Sequence, residues 1–270
     1  MRGWLLAGLI VLCSTPAAAG SRVVSLAPFL TDIVILLEAT DSLVGVLNDG
    51  NLPDELDQVP RVGGHQSVSL ERIAVQRPDL VLAWTSGNSP ALLQQLEGLG
   101  IPVLRFDPRR LSEIAEVTQQ IAAALGRSEA GRLLNERFQA ELEASQVPLG
   151  SDSPGVFLQL WDDPLYTVAG AQLISDALNH CGARNVFEDL PGLAPQVGRE
   201  GVLGLDPDII IALSDNAHAG QTWLDKWRRY PQLKAVRNDA LHVLANDELV
   251  RPTPRIIDGL RLLCRAVQGG

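Results

Sequence analysis

The sequence is poor in the residues that carry metal and nucleophilic chemistry. It holds three cysteines and four histidines in 270 residues, and the histidines show no metal-ligand spacing. A zinc or manganese site would want several His and carboxylate groups converging, and no such set is present. There is no G-x-S-x-G elbow, no phosphate-binding glycine loop and no His-Glu helix motif; neither GVLNDGN nor TSGNS makes a G-x-G-x-x-G turn. Enzymes that depend on those motifs are excluded. Basic residues are in deficit, 22 Lys and Arg against 32 Asp and Glu, for a net charge of -10. Nucleic-acid binding needs the opposite balance. Long apolar runs are scarce too: Trp4 to Leu12 is well short of the ~20 residues of a membrane span.

That one run has another meaning. Met1-Arg2-Gly3 is a short positive segment, and Ala17-Ala18-Ala19 offers small residues before Gly20. Together they predict a secretory signal peptide over residues 1–19. Cys13 raises a lipoprotein alternative, but Leu12 is bulky where such cleavage wants a small residue. Two cysteines remain in the exported chain, Cys181 and Cys264. In an oxidising compartment the pair reads as a disulfide, with two buried thiols as the alternative. Closing so long a loop would contribute roughly 4 to 5 kcal/mol on the chain-entropy account.

From Arg22 onward short aliphatic runs alternate with helical patterns. RVVSL, LVGVL, DLVLAW and IPVLRFD read as strands. Between and after them TDIVILLEA (opened by Thr31 or Asp32), SVSLERIAVQ (capped by Ser69), SPALLQQLEGLG and LSEIAEVTQQIAAALG read as helices. Residues 128–147 follow as one long helix, broken at PLGSDSPG. The alternation then resumes with strands VFLQLW, DIIIALS and ALHVLAN. Its helices are LISDALNHCG, REGVLGLD, TWLDKWRRYPQL and TPRIIDGLRLLCRAVQ. This order predicts an α/β fold with largely parallel sheets. It divides into an N-terminal lobe at 20–127, a linking helix at 128–148 and a C-terminal lobe at 149–270.

The halves share a phrase. SLERIAVQRPDLVLA at 69–83 and GREGVLGLDPDIIIA at 198–212 each place a glutamate, Glu71 and Glu200, seven residues before a Pro-Asp pair. Pro-Asp between helix and strand is common, since Pro stops the helix and Asp suits the turn. The glutamates do not follow from it. On spacing alone each either answers a helix dipole or meets a partner.

Several segments together resemble the substrate-binding proteins of bacterial vitamin B12 import systems, in the class that also carries siderophore and haem binders. They are RVVSLAP, SLERIAVQRPDLVLAWTSGN, CGARNVF, PQVGREGVL and PRIIDGLRLLC, and the resemblance spans residues 22–268. It implies a non-enzymatic periplasmic protein, expected as a monomer, built of two Rossmann-like lobes joined by a backbone helix. Cobalamin or another corrinoid would lie in the cleft between lobes as transported ligand, with no resident cofactor or metal. The partner would be an ABC-type permease and ATPase complex in the inner membrane, met through Glu71 and Glu200 by arginines, which bind carboxylates bidentately. A disulfide between Cys181 and Cys264 is implied as well.

For the ligand, the resemblance implies Trp84, Tyr166 and Asp247 as cleft residues, with Arg251 nearby in a ligand or structural role. His65 and Asp49 stand where related cobalamin binders carry aromatics. Trp161 is either a replacement face or core, and Trp223 and Trp227, four apart on a helix, read as packing. A lone imidazole at His65 either coordinates a metal or is a loop residue. The alternative cargo is haem or a ferric siderophore. An anionic siderophore would require cations in the cleft, and Arg251 and residues 105–110 are the candidates.

Overall fold

Strands without polar alternation must be buried on both faces, and the runs LVLA at 80–83 and IIIAL at 209–213 are buried at every residue. The computed structural model describes residues 21–48, 52–64, 67–244 and 247–269. The expected signal peptide, Asp49 and His65 lie outside the described residues. The first lobe comprises β1 (Val23–Ser25), α1 (Pro28–Leu36), β2 (Leu43–Leu47), β3 (Arg61–Gly64), β4 (Ser67–Val68), α2 (Leu70–Val75), β5 (Leu80–Trp84), α3 (Pro90–Gly98), β6 (Val103–Phe106) and α4 (Leu111–Ala124). Then comes α5 (Ser128–Ser145). The second lobe holds β7 (Gly155–Gln159), α6 (Leu173–His180), β8 (Arg184–Asn185), α7 (Arg199–Leu205), β9 (Ile209–Leu213), α8 (Ala217–Trp227), α9 (Lys234–Arg237), β10 (Leu241–Leu244) and α10 (Ile256–Gln268).

The sheets run β4-β3-β2-β1-β5-β6 and β10-β9-β7-β8. Every described pairing is parallel except β3 with β4. Successive residues serve opposite faces, as a period of two requires. In β5, Leu80 and Leu82 enter one core while Val81 and Ala83 enter the other. In β9, Ile209, Ile211 and Leu213 face one core, Ile210 and Ala212 the second. Each lobe is therefore a sheet between two apolar layers.

Two helices begin earlier than their sequence patterns suggest. α1 starts at Pro28, whose fixed φ suits a first helical position. Thr31 is thus inside the helix, not its cap, and its hydroxyl donates to Ser25 Oγ at 2.9 Å. α8 starts at Ala217 behind Asn216, whose side chain accepts from Ala219 N–H. Ser69 caps α2 as expected, accepting from Arg72 N–H. Trp227 is buried against Phe157, with ring centroids 5.6 Å apart.

The lobes share more than one connection. Along α5, Ala130 and Leu134 pack on the first lobe's core, while Phe138 and Leu142 reach the second. α4 does the same in reverse: Leu111, Ile114 and Ala115 belong to the second core, Val117, Ile121 and Ala122 to the first. The two helices touch closely at Gly131, where a Cβ would stand 2.4 Å from that of Ala122. Cys181, after α6, is disulfide-bonded to Cys264 of α10, and both are buried in the second core. Replacing both by alanine is expected to lower unfolding free energy by about 2–5 kcal/mol, measured by denaturant titration against the oxidised parent.

Candidate functional site

The order of the first sheet creates a switch point. From β1 the chain moves outward to β2, and it returns on the other side as β5. Loops leaving adjacent strands in opposite directions open a crevice beyond their carboxyl ends, the usual binding place in open α/β sheets. A recess of about 220 Å³ lies there. Pro28 and Phe29 follow β1, Trp84 ends β5 with Ser86 just beyond it, and Asp107, Pro108 and Arg109 follow β6. The opposite wall belongs to the second lobe, including Gln172, Leu193, Val250 and Arg251. An apolar recess of about 170 Å³ adjoins it, sharing Gln172, Leu173, Leu193 and Val250.

The AWTSGN segment has a physical reading at this point. Past Trp84 the chain turns, with Asn88 N–H donating to Trp84 C=O at 2.8 Å. The buried Asn88 side chain then stitches two strand ends: Oδ1 accepts from Trp84 N–H at 2.7 Å, and Nδ2 donates to Leu26 C=O at 2.9 Å. The Trp84 indole folds back over Gly87, where a Cβ would sit 2.0 Å from Cε3. Only glycine leaves room for it. The ring stands edge-on to Phe29, centroids 6.0 Å apart, and its Nε1 donates to Asp107 Oδ1 at 3.0 Å.

Asp107 accepts three further hydrogen bonds, from Ser86 Oγ at 2.6 Å and from Arg109 Nε and Nη2 at 3.1 and 2.7 Å. Partial burial pushes its carboxyl up, but the bonds from Ser86, Arg109 and Trp84, with the Arg109 charge, hold it below the usual range. Arg251 crosses the cleft to Asp32 of α1, Nη1 to Oδ2 at 3.1 Å. Outside this recess, Leu111 N–H at the start of α4 donates to Asp176 Oδ2 of α6 at 2.8 Å.

The structure thus brings Trp84 and Arg251 into one recess. Tyr166 and Trp161 lie outside its lining, because they bridge to each other beyond β7, with Tyr166 also bridging Gln196. Trp161 is 57% exposed and edge-on to Trp223, centroids 5.7 Å apart, so it is not the core residue its strand-end position allowed. Asp247 opens a short 3₁₀ turn, Asp247–Val250, whose last residue lines the recess. The cation candidates at 105–110 all carry carboxylate partners: Arg105 with Glu97, Arg109 with Asp107 and Arg110 with Glu113. Sequence reasoning missed Phe29, Asp32, Asp107 and Gln172. Asp107 lies in a segment whose visible signal is its arginines, and the others carry no local signal.

Glu71 and Glu200 occupy the same place in their helices, the second residue of α2 and of α7, and both are exposed. Glu71 accepts from Ser69 Oγ at 2.9 Å; its own backbone N–H and that hydroxyl hold its carboxyl below the ordinary range.

The periplasmic binding protein family profile matches residues 23–248. The chain belongs to that family. Within it, a vitamin B12-binding protein of Vibrio cholerae is 32% identical over 244 residues, covering 90% of this chain and 87% of the relative. The crystal structure of the periplasmic vitamin B12-binding protein of Vibrio cholerae superposes with a TM-score of 0.79 at 30% identity, over 92% of this chain and 97% of that one. The same organism's periplasmic haem-binding protein matches at a TM-score of 0.77 but 17% identity, over 90% and 97% of the two chains. That second likeness shows the shared fold alone.

The packing of Trp84 on Gly87 makes the family member's cleft testable. Gly87→Ala is expected to displace the indole and to destabilise the protein by about 1–3 kcal/mol. Near-ultraviolet circular dichroism and a thermal melt would read both effects.

Proposed function

We propose that this chain is an exported, monomeric, non-enzymatic binding protein that captures cobalamin or a related corrinoid in the periplasm and passes it to an ABC-type permease. The observation that carries this reading is the interlobe recess with an anchored aromatic wall, in a chain whose 30–32% identical relatives bear vitamin B12-binding names. A corrinoid is a wide, largely apolar ring with amide arms. Trp84, braced by the buried Phe29, offers aromatic surface to the ring, and Leu193 and Val250 offer exposed apolar surface opposite. Gln172 gives an amide of its own to the arms.

Each recess alone is smaller than the ~300–1,000 Å³ of small-molecule pockets, so the ligand would lie across both. Tyr166, Trp161, Asp247, His65 and Asp49 are proposed to meet the parts that extend beyond them, and Arg251 to part from Asp32 as the ring enters. Residues 1–19 would direct export. The two lobes would move little against each other, since α4 and α5 are both rooted in both cores.

Delivery would use Glu71 and Glu200. Two exposed carboxylates at matching positions on two similar lobes suit a dimeric permease offering one arginine pocket per subunit. Haem or a ferric siderophore as cargo is less well supported, since the arginines at 105–110 are already paired.

Calorimetric titration of the mature protein with cyanocobalamin is expected to give one-to-one binding at micromolar affinity or tighter, with haemin silent. Saturable haemin binding without any corrinoid heat would overturn the cargo. Replacing Glu71 and Glu200 together by alanine is expected to leave that titration unchanged while abolishing uptake in vesicles holding the permease and ATPase.

A further inference from the structure

Taking the interlobe recess as the ligand site, we propose that Asp107 is a specificity-determining residue: it neutralises Arg109 while anchoring Trp84, and so closes the cleft to anionic ligands. Its two oxygens divide the work. Oδ1 accepts from Trp84 Nε1 and Ser86 Oγ, and Oδ2 accepts twice from Arg109. An ionised carboxylate has about four lone-pair sites, and the wall of the cleft fills them all. Asp107 therefore organises its neighbours and leaves the ligand contacts to them.

Three consequences meet at this residue. The Trp84 N–H is engaged, so the indole presents its ring as an apolar surface. The Arg109 guanidinium donates twice, from Nε and Nη2, to one oxygen of its own wall, which engages a group well suited to carboxylate or catecholate oxygens. Among the described residues lining the recess the charged ones are Asp107, Arg109 and Arg251, and Arg251 is paired with Asp32. Each lining cation is thus matched by a carboxylate. A neutral ligand with amide groups gives up nothing to these paired charges, whereas a multiply charged anion would have to part an ion pair to gain a cation.

Asp107→Asn removes the charge at nearly constant volume and keeps an oxygen for Trp84 and Ser86. Arg109 is then an unmatched cation at the cleft wall. The mature protein, the Asp107→Asn variant and an Asp107→Asn, Arg109→Gln double variant would each be titrated with cyanocobalamin and with a ferric tris-catecholate, which carries three negative charges. Circular dichroism would check each variant's fold. Asp107→Asn is expected to bind the catecholate at least tenfold more tightly than the parent. The gain should shrink as salt rises, because screening weakens partly exposed charge pairs, and Arg109→Gln should remove it. A merely structural role for Asp107 produces losses and no such gain. The proposal is overturned if Asp107→Asn binds the anion no better than the parent, or if the gain survives loss of Arg109. Absence of cyanocobalamin binding by the parent would count against the cargo reading alone, since the anion arm is read independently. Asp107→Ser carries the same test if the Asn variant does not fold.

Discussion

The Asn88 side chain holds together the place where the first sheet opens. At the switch point β1 and β5 part, and parallel strands that part leave main-chain groups without ladder partners. Asn88 answers one on each strand, taking Trp84 N–H and giving to Leu26 C=O from a site only 6% exposed. Buried amides demand such partners. The turn is thereby fixed, Gly87 comes under the indole, and the indole reaches Asp107. The aromatic wall is a downstream effect of satisfying two backbone groups.

The lobes are bound to each other by packing as well as by chain continuity. α4 and α5 each place one end in one core and the other end in the second, in opposite senses. Moving one lobe against the other would disturb apolar contacts at four places, and interiors packed to crystal density resist that. The Arg251–Asp32 pair reaches across at the recess itself, while the Leu111–Asp176 bond ties α4 to α6 beside a separate recess at the end of α5. The likeness to B12-binding and haem-binding structures at TM-scores of 0.79 and 0.77 carries a separate lesson. The scaffold is common to both structures, and a shared fold does not by itself choose a ligand.

Much of the scaffold was legible in the residue order. Nearly all-aliphatic runs such as DLVLAW and DIIIALS became parallel strands because their apolar side chains leave no face suited to water. The short strands β3, β4 and β8 escaped notice, being two to four residues long and poor in apolar pattern. Helix starts at Pro28 and Ala217 were missed for a related reason: a helix can begin before its amphipathic stripe does. Site residues were legible where a local motif carried them. AWTSGN pointed to Trp84, whereas the arginines of 105–110 looked like free cations until folding set Glu97, Asp107 and Glu113 beside them.

By itself, then, the sequence determined what is periodic and what is near in the chain: two α/β halves, parallel sheets, a long helix between them, and a glutamate at the same helical position in each half. Periodicity is a local property, enforced by the need to bury apolar side chains every second or every third to fourth residue. Only the tertiary structure decided which distant groups share the cleft. Arg251 meets Asp32 across 219 positions and Trp84 meets Asp107 across 23. Ion pairs and hydrogen bonds act over a few ångströms, and no rule of spacing links residues that sheet order alone brings side by side.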